Sequence, residues 1–592
     1  MKVLLSNAPW YIMDAHHISF LGCRAGSRWP HLRNYKGSMV SKYQPFPFFL
    51  ATASSLLKKE GFDVILRDSI ILGETYEDYY RFVRNESPDI IFLETSTPSI
   101  DNDLSIIQHI KHDNPQIKTI IAGLHASVAE ESFLKNNPYV DFSIYGEYEH
   151  PLLILLKALR DNIQLTNVPN LLYRDNGCIH KTQREALVSI HELPWPDREA
   201  LPALYYDGCG GMLGLELQLQ TSRGCPFSCN FCVLPQIKYS GHDYRMRDPQ
   251  DVIKEILYNF QKTPYTHFYF DDDTININKK HFLELCYLIS ESGLSKYPWG
   301  CMGRADLMDD EMLEALKKAG CFSIKYGVES FNQQILDHTG KSMNIEKNIQ
   351  MITKTRLLGI KVHLTYCLGL LGDTADTVKD NIKKSLMLPA DSRQYSIATP
   401  FVGSKLWEEY KKLGLIISDD FGSFDANHTA VVDQENLSSK ELITLKNMAD
   451  LLNREQIQNS VPATFLTTDF FDLLIHTVSK YNSVLIMCTH RNAIIKELVC
   501  LLSQVVNNID VLSEKPFLTE VKTTTTKELQ IYKTNEGLCL NEEKITNTKQ
   551  YDVVLLPART FTKEGIENYI DLAKSFSSEV LIIYNNAKLE MV

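Results

Sequence analysis

Thr221-Ser222-Arg223-Gly224-Cys225-Pro226-Phe227-Ser228-Cys229-Asn230-Phe231-Cys232 places three thiols within eight residues. The stretch follows directly on an apolar run of strand length, Leu215 to Thr221. The thiols therefore sit on a loop at the carboxyl end of a strand, the end at which βα barrels carry their catalytic groups. Thiolates are the ligands of iron–sulfur clusters, and three of them leave one iron of a four-iron cluster open to another ligand. A tetrahedral zinc site built on the same thiols requires a fourth ligand, for which His242 is the nearest histidine. The other ten of the 13 cysteines are scattered singly and read mostly as small buried hydrophobes.

Downstream, apolar runs alternate with stretches of helical period. The runs are Thr266 to Asp271, Pro298 to Arg304, Phe322 to Gly327, Lys361 to Cys367 and Gln394 to Thr399. Helices are expected from Asp248 and over Lys279 to Ser292, Asp309 to Ala319, Asn344 to Leu358 and Thr374 to Leu388. Ile253, Ile256, Leu257 and Phe260 form one apolar stripe, and Phe282, Leu285, Cys286 and Ile289 form another. With Leu215 to Thr221 this makes six strands, each followed by a helix or helical turn, and predicts a curved parallel sheet that is most of a barrel.

Upstream, Val3 to Leu5, Val64 to Arg67, Ile90 to Leu93, Thr119 to Ala122 and Phe142 to Tyr145 alternate with helix-like stretches around Phe49 to Lys59, Leu104 to Lys111 and Glu130 to Lys135. Repeated βα units of this kind predict a doubly wound parallel sheet. Ligands on such sheets lie outside the carboxyl ends of the strands, where this chain has Thr95-Ser96-Thr97-Pro98, Gly123-Leu124-His125 and Gly146-Glu147. Leu21 to Tyr43 is too long and polar for a tight βα turn. Asn176-Gly177 marks a hairpin and Leu193-Pro194-Trp195-Pro196 a stiff connector, within a stretch that reads as a linker. After the barrel, Ser438 to Gln456 reads as a polar helix. Val484 to Met487, Val553 to Leu556 and Val580 to Tyr584 then read as strands, with helices near Ala493 to Leu502 and Lys563 to Lys574. The expected domains are residues 1–165, a linker over 166–210, the barrel over 211–420, and 421–592, a helical linker and small α/β domain with no interpretable motif.

Composition narrows the function classes. A chain of 592 residues with 44% hydrophobic and 23% charged residues is ordinary for a folded soluble protein. Lys and Arg number 61 against 73 Asp and Glu, a net charge of -12 with no basic run to offset it, which disfavours wrapping a nucleic-acid backbone. Thirteen cysteines, odd in number and without the dense spacing of a small secreted scaffold, fit a reducing cytosol. The opening MKVLLSNAPW reaches Ser6 and Asn7 too soon for a signal-peptide core and reads as a first strand. No run of about 18 apolar residues occurs, so no segment is expected to span a bilayer.

The Cys225-x3-Cys229-x2-Cys232 loop, placed after the first of six strands, resembles that of the radical SAM superfamily. The resemblance implies a 4Fe-4S cluster on Cys225, Cys229 and Cys232, S-adenosyl-L-methionine (SAM) on the open iron, and cleavage of SAM to a 5′-deoxyadenosyl radical, with the protein orienting SAM and excluding water. Phe270-Asp271-Asp272-Asp273-Thr274 resembles the family's acidic turn after the second strand, which implies a contact of Asp272 and Asp273 with the SAM amino group. Read without the resemblance, the same acids are also what an exposed helix-capping turn carries. Arg304 ends the third strand, where a cation faces a carboxylate. Gly327-Val328-Glu329-Ser330 resembles the Gly-x-Glu-Ser turn, which implies a ribose contact for Glu329 and Ser330. Thr399-Pro400-Phe401-Val402-Gly403-Ser404 is similar to the family's Thr-Pro-x-x-Gly-Thr turn. Leu368-Gly369-Leu370-Leu371-Gly372-Asp373-Thr374, in contrast, departs from the usual Gly-x-Pro-Gly-Glu-Thr.

The domain in front resembles that of the cobalamin-binding radical SAM enzymes. It carries Gly123-x-His125 and Asp141-Phe142-Ser143-Ile144-Tyr145-Gly146-Glu147-Tyr148-Glu149, similar to the family's Asp-x-x-x-x-Gly-Glu-x-Glu, and Arg24-Ala25-Gly26-Ser27-Arg28-Trp29-Pro30 is similar to part of the group. The resemblance implies cobalamin held by Thr95, Ser96, Gly123, His125, Gly146 and Glu147. Proteins that ligate cobalt through histidine use Asp-x-His-x-x-Gly, whereas Asp14-Ala15-His16-His17-Ile18-Ser19 ends in Ser, so His16 is not expected to ligate cobalt. His125 reads as a hydrogen-bonding turn residue rather than a metal ligand. The expected fold is α/β: a flavodoxin-like (Rossmann-like) cobalamin-binding domain, a partial (β/α)6 TIM-type radical SAM barrel and a small C-terminal α/β domain.

The activity implied is that of a cytoplasmic class B methyltransferase, which adds a methyl group to an unactivated carbon, or to phosphorus, through the 5′-deoxyadenosyl radical and methylcobalamin. Oxidative ring closure or rearrangement without methyl transfer, as in the anaerobic porphyrin cyclases, is the alternative. A tRNA methylthiotransferase fits less well, because such enzymes have a further cysteine trio upstream and only Cys23 and Cys178 precede Cys209 here. A cobalamin carrier with an idle barrel is the non-enzymatic reading. The expected partners are a small-molecule, lipid or peptide substrate and a one-electron donor such as flavodoxin or ferredoxin, not nucleic acid.

Overall fold

The computed structural model describes residues 1–13, 19–22, 33–34 and 45–459, apart from 202, 204–205, 207–211 and 213–214, together with pieces between 480 and 591. Asp14 to Ile18, nearly all of Leu21 to Tyr43 including Arg24 to Pro30, the helix expected near Ala493 to Leu502 and most of Lys563 to Lys574 lie outside the described residues. The chain divides into two units, Met1–Ile12 with Phe20–Asn447, and Met13–Ser19 with Met448–Val592.

The first unit opens with strand β1 (Lys2–Asn7), followed by β2 (Asp63–Asp68), β3 (Ile90–Thr95), β4 (Lys118–Gly123), β5 (Phe142–Ile144), β6 (Leu171–Asp175) and β7 (Cys178–Lys181). Their order in the sheet is β7-β6-β5-β4-β3-β1-β2. The strands from β5 to β2 run parallel, and β6 and β7 add an antiparallel hairpin. β3 reads Ile-Ile-Phe-Leu-Glu-Thr and is buried at all six positions, as a parallel strand covered on both faces must be. Successive side chains alternate between faces. Val3, Leu5 and Phe92 therefore pack under helices α1 (Phe48–Lys59) and, further along, Glu149–Asp161, while Leu4, Ile91 and Leu93 pack under Tyr76–Glu86 and Ile100–Asp113. The hairpin carries the sheet past residue 165 into the stretch expected as linker. Its turn residues Asn176 and Gly177 have φ of 47° and 81°, which matches the twist of the strands they join.

The second sheet of this unit consists of β8 (Glu216–Leu219), β11 (His267–Phe270), β12 (Trp299–Gly303), β13 (Cys321–Glu329), β14 (Lys361–Leu368) and β15 (Ser392–Ile397), all parallel and in that order. These are the six expected barrel strands. A small antiparallel hairpin, β9 (Ser222–Gly224) with β10 (Tyr244–Met246), stands between β8 and β11 and carries the cysteine loop. Helix starts are fixed locally: Asp248 caps Pro249–Lys262, Asp309 caps Asp310–Lys318, and Thr374 and Thr377 form a reciprocal capping box on Ala375–Met387. Lys279–Glu291 buries Phe282, Leu285, Cys286 and Ile289 as expected. Pro249–Lys262 is rotated from the expected stripe: it buries Val252, Ile253, Glu255 and Ile256, and Leu257 is 38% exposed. The cause is Glu255, which turns inward to meet Arg247 at 2.6 Å and Arg198 at 3.1 Å. The polar helix expected over Ser438 to Gln456 is Ser439–Asn459.

The second unit holds an eight-stranded sheet whose parallel centre includes Ser483–Cys488, Val553–Pro557 and Val580–Ile583, the three strands expected there. Asn508–Ser513 and Thr526–Thr534 join it although neither has a continuous apolar run. Among the described residues no helix is long and apolar enough to cross a membrane.

Candidate active site

The cysteine loop is built by its neighbours. Asp272, fully buried after β11, directs Oδ1 at the Thr221 backbone N–H (2.9 Å), the Thr221 hydroxyl (2.9 Å) and the Ser222 hydroxyl (2.6 Å), and so makes the turn from β8 into β9. Asp273 accepts from Gly224 N at 2.9 Å and from the Tyr239 hydroxyl at 3.1 Å. Gly224 has φ of +94°, and a Cβ there would stand 2.0 Å from the Asp243 carbonyl oxygen, so only glycine fits. The Gln236 amide nitrogen lies 2.8, 3.0 and 2.6 Å from the carbonyl oxygens of Cys229, Asn230 and Cys232, while its oxygen accepts from Lys405 N at 2.7 Å. Asn230 N donates to Thr339 O at 2.8 Å, and Leu406 N to Asn230 O at 3.0 Å.

Cys225, Cys229 and Cys232 line one cavity of about 600 Å³. Burial pushes all three thiols up from the ordinary value, with Lys341 and Arg304 pulling Cys229 the other way. All three are free of disulfides. Among the described residues no three His, Cys, Asp or Glu side chains converge as they do on a single ion.

Arg304, Glu329 and Lys341 line the same cavity. Arg304 is clamped by Asp306 at 3.1 and 2.8 Å and by Lys341 O at 2.9 Å, with its guanidinium 3.8 Å from the centroid of Phe227. Glu329 sits at φ +66°, at a register shift between β13 and β14, a strained backbone of the kind concentrated at functional sites. Its carboxylate accepts from Lys341 Nζ at 2.6 Å, and the same ammonium donates to Gly327 O at 2.9 Å. A Cβ on Gly327 would stand 2.7 Å from that carboxylate. Lys341 was not among the residues picked out by sequence, because it follows a short helix and carries no motif. Ser330 is buried and accepts from Asn332 N at 3.1 Å. Asp373, in the loop that departs from the family's pattern, accepts from Gly369 N (3.0 Å) and Leu370 N (3.1 Å), and burial pushes it up to about 6.

From the front domain Ser96, Thr97, Pro98 and Leu124 line the same cavity. Gly123, at φ +107°, lets β3 and β4 touch at their ends; a Cβ would stand 2.2 Å from Thr95 O. The Thr95 hydroxyl donates to Ala122 O at 3.0 Å. His125 is buried with Nδ1 3.4 Å from the Thr97 hydroxyl and its ring edge-on to Phe421, and burial lowers it to about 4. Gly146 N donates to the Ser127 hydroxyl at 2.9 Å. The Glu147 carboxylate meets Arg245 at 2.7 and 2.9 Å and Arg223 at 3.3 Å, and Glu149 meets Arg223 at 2.7 Å. This buried network, which the sequence did not reveal, ties the front domain to the hairpin that carries the cysteines. Of the residues picked out by sequence, Cys225, Cys229, Cys232, Ser96, Asp273, Arg304 and Glu329 line the cavity. Asp272, Ser330, Thr95, Gly123, His125, Gly146 and Glu147 are not among its lining residues.

Residues 39–156 match the family model described as B12 binding domain, and residues 219–384 that described as Radical SAM superfamily. Over 363 residues the chain is 27% identical to an uncharacterized methyltransferase of Pyrococcus horikoshii, covering 61% of this chain and 78% of that one. Over 370 residues it is 28% identical to the anaerobic magnesium-protoporphyrin IX monomethyl ester cyclase of Rubrivivax gelatinosus, covering 61% and 66%. The cobalamin-dependent S-adenosylmethionine radical enzyme OxsB shares the fold, with a TM-score of 0.54 at 18% identity over 85% of this chain and 70% of that one. With a B12-binding domain and a radical SAM domain facing one cavity that carries Cys225, Cys229 and Cys232, the chain belongs to the cobalamin-binding radical SAM enzymes.

Proposed function

We propose that this enzyme is a class B methyltransferase that adds a methyl group to an unactivated carbon, or to phosphorus, of a substrate held in the cavity. The observation that carries the reading is that the cysteine loop and the Ser96-Thr97-Pro98 turn open on the same space, so that groups held by either domain face one substrate. The methyltransferase relative supports it. Cys225, Cys229 and Cys232 would hold a 4Fe-4S cluster; they fit because three half-buried thiols, each costly as a bare thiolate, line one cavity together with the cations Arg304 and Lys341. Asp273, Arg304 and Glu329 would hold SAM. Ser96 and Thr97, on strand ends drawn together at Gly123, would hold cobalamin. When bound, these groups supply an electron, a hydrogen-abstracting 5′-deoxyadenosyl fragment and a methyl carrier.

The chain's own residues position and shield. Lys341 fixes the Glu329 carboxylate, an acceptor suited to hydroxyl groups. Arg304, locked by Asp306 and stacked on Phe227, presents a fixed cation to a carboxylate. Gln236 and Asp272 hold the cysteine loop in place. Phe227, Phe231, Leu234, Ile237 and Phe401 give the cavity apolar walls that limit water. We place the enzyme in the cytoplasm with a flavodoxin- or ferredoxin-like electron donor and a small-molecule, lipid or peptide substrate.

The test is anaerobic reconstitution with iron, sulfide and cobalamin, followed by SAM labelled in its methyl group and a cell extract. The expected result is 5′-deoxyadenosine together with a labelled product one methylene heavier than its precursor. 5′-Deoxyadenosine with no label in any product favours ring closure, the reaction named for the cyclase relative. Failure to retain cobalamin refutes both.

A further inference from the structure

The interior of a βα barrel is ordinarily filled by bulky branched apolar side chains. Across β13, β14 and β15 this barrel departs from that rule. The strand register sets Lys325 beside His363 and His363 beside Ser392, and one step nearer the carboxyl ends sets Gly327, Thr365 and Gln394 in a row. All of these line the cavity that carries the three cysteines. Lys325 lies four residues before Glu329 on β13, roughly 13 Å deeper along the strand at about 3.3 Å per residue.

The layer is built for an acceptor-rich guest. His363 sets Nδ1 2.7 Å from the Ser392 hydroxyl, its Nε2 is buried, and the ring has the Gln394 side chain as a further hydrogen-bonding neighbour. Burial, with Lys325 adding to it, lowers His363 to about 3, so the ring stays neutral beside the ammonium. Local polarity that breaks the packing rule of a barrel core marks a functional site.

We infer that Lys325, His363, Ser392 and Gln394 form the substrate subsite, and that it takes the carboxylate or phosphate of an anionic small molecule. This rests on the proposed function only in placing the substrate in the shared cavity. Lys325 supplies charge to the anion, His363 and the Gln394 amide supply donors, and the rest of the substrate extends upward toward the cysteine loop.

The test divides the small molecules of a cell extract by anion exchange into retained and unretained fractions and adds each to the cofactor-loaded chain with SAM and a reductant. The readout is the rise in 5′-deoxyadenosine over the rate without extract, which registers occupancy of the pocket whatever bond is then made. Transfer of methyl label is read separately and alone decides the methyl-transfer reading. The retained fraction is expected to raise the rate, and the amount giving half the maximal rise is expected to increase about tenfold or more in Lys325→Gln and in His363→Phe. Phosphatase treatment or carbodiimide amidation of that fraction tells a phosphate from a carboxylate. Iron and cobalamin content report whether each variant is folded. No stimulation by the retained fraction, stimulation confined to the unretained one, or unchanged half-saturation in both folded variants overturns the inference, and the fractionation refutes it even without a variant.

Discussion

Replacing Arg223 with methionine should destabilise the first unit without touching a cluster cysteine. The Arg223 side chain is 3% exposed and meets Glu149, 2% exposed, at 2.7 Å and Glu147, 9% exposed, at 3.3 Å. Glu147 keeps Arg245 after the change. Among the described residues Glu149 has no other ion pair, and the buried Lys238 ammonium nearby is shared with Glu94 and Glu147, so the Glu149 carboxylate loses its one close cation. Removing one partner of a buried pair costs about 3–5 kcal/mol. At about 1.4 kcal/mol per decade this is about two to three and a half decades in the folded-to-unfolded ratio. Glu149→Gln in the same chain should return a large part of the loss, because no charge is then left unpaired. Four of the 5 tryptophans, Trp10, Trp195, Trp299 and Trp407, are described residues of the first unit, so tryptophan fluorescence during urea unfolding reports on that unit. The four variants of a double-mutant cycle should give an interaction energy above about 1 kcal/mol. A single variant within about 0.5 kcal/mol of the parent, or a double variant as unstable as Arg223→Met, would refute the reasoning. The network also sets a pH dependence. Burial would raise Glu147, but Arg223 and Arg245 outweigh it and hold the carboxyl below its usual value. Its stabilising contribution is therefore present above the unfolded carboxylate value, about 4.3, and is lost as pH falls through the lower folded value. Arg223→Met should weaken that acid-side loss.

Cys229→Ala should abolish iron retention and 5′-deoxyadenosine formation while leaving the first unit's urea midpoint near that of the apo parent; iron assay and low-temperature paramagnetic resonance after reduction decide it. Lys341→Met removes the 2.6 Å partner of Glu329 and should raise KM for SAM about tenfold at unchanged iron content, since a charge-assisted hydrogen bond contributes about 1.5–3 kcal/mol; an unchanged KM would show that Glu329 does not meet SAM. His125, lowered to about 4 from 6.5, is buried neutral, so its contribution is complete above the unfolded value and is lost as pH falls from about 6.5 toward 4. That loss is on the order of 3 kcal/mol and should vanish in His125→Gln, as read from unfolding midpoints across that range.

The parts of this protein that were legible in the sequence are those whose information is local. Three cysteines within eight residues, six apolar runs at βα spacing and the buried stripe of Phe282, Leu285, Cys286 and Ile289 each declare themselves within a few turns of chain. Where a local pattern met a distant partner, the reading failed: Leu257 is exposed because Glu255 turned inward to reach Arg247 and Arg198. Asp272 and Asp273 are neighbours in one acidic turn, yet one is buried under Thr221 and Ser222 and the other lines the cavity, since consecutive side chains leave the backbone in different directions.

Sequence by itself determined the cysteine loop, the two sheets and the order of the domains, because strand and helix periods and ligand spacing are written along the chain. Only the tertiary structure decided which side chains meet across it. Lys341 joins Glu329 over a short helix, Arg223 joins Glu149 over more than seventy residues, and Ser96 and Cys225 line one cavity. Lys325, His363 and Ser392 become one layer only when three strands take their register. Such contacts depend on packing in three dimensions, and no spacing in the sequence encodes them.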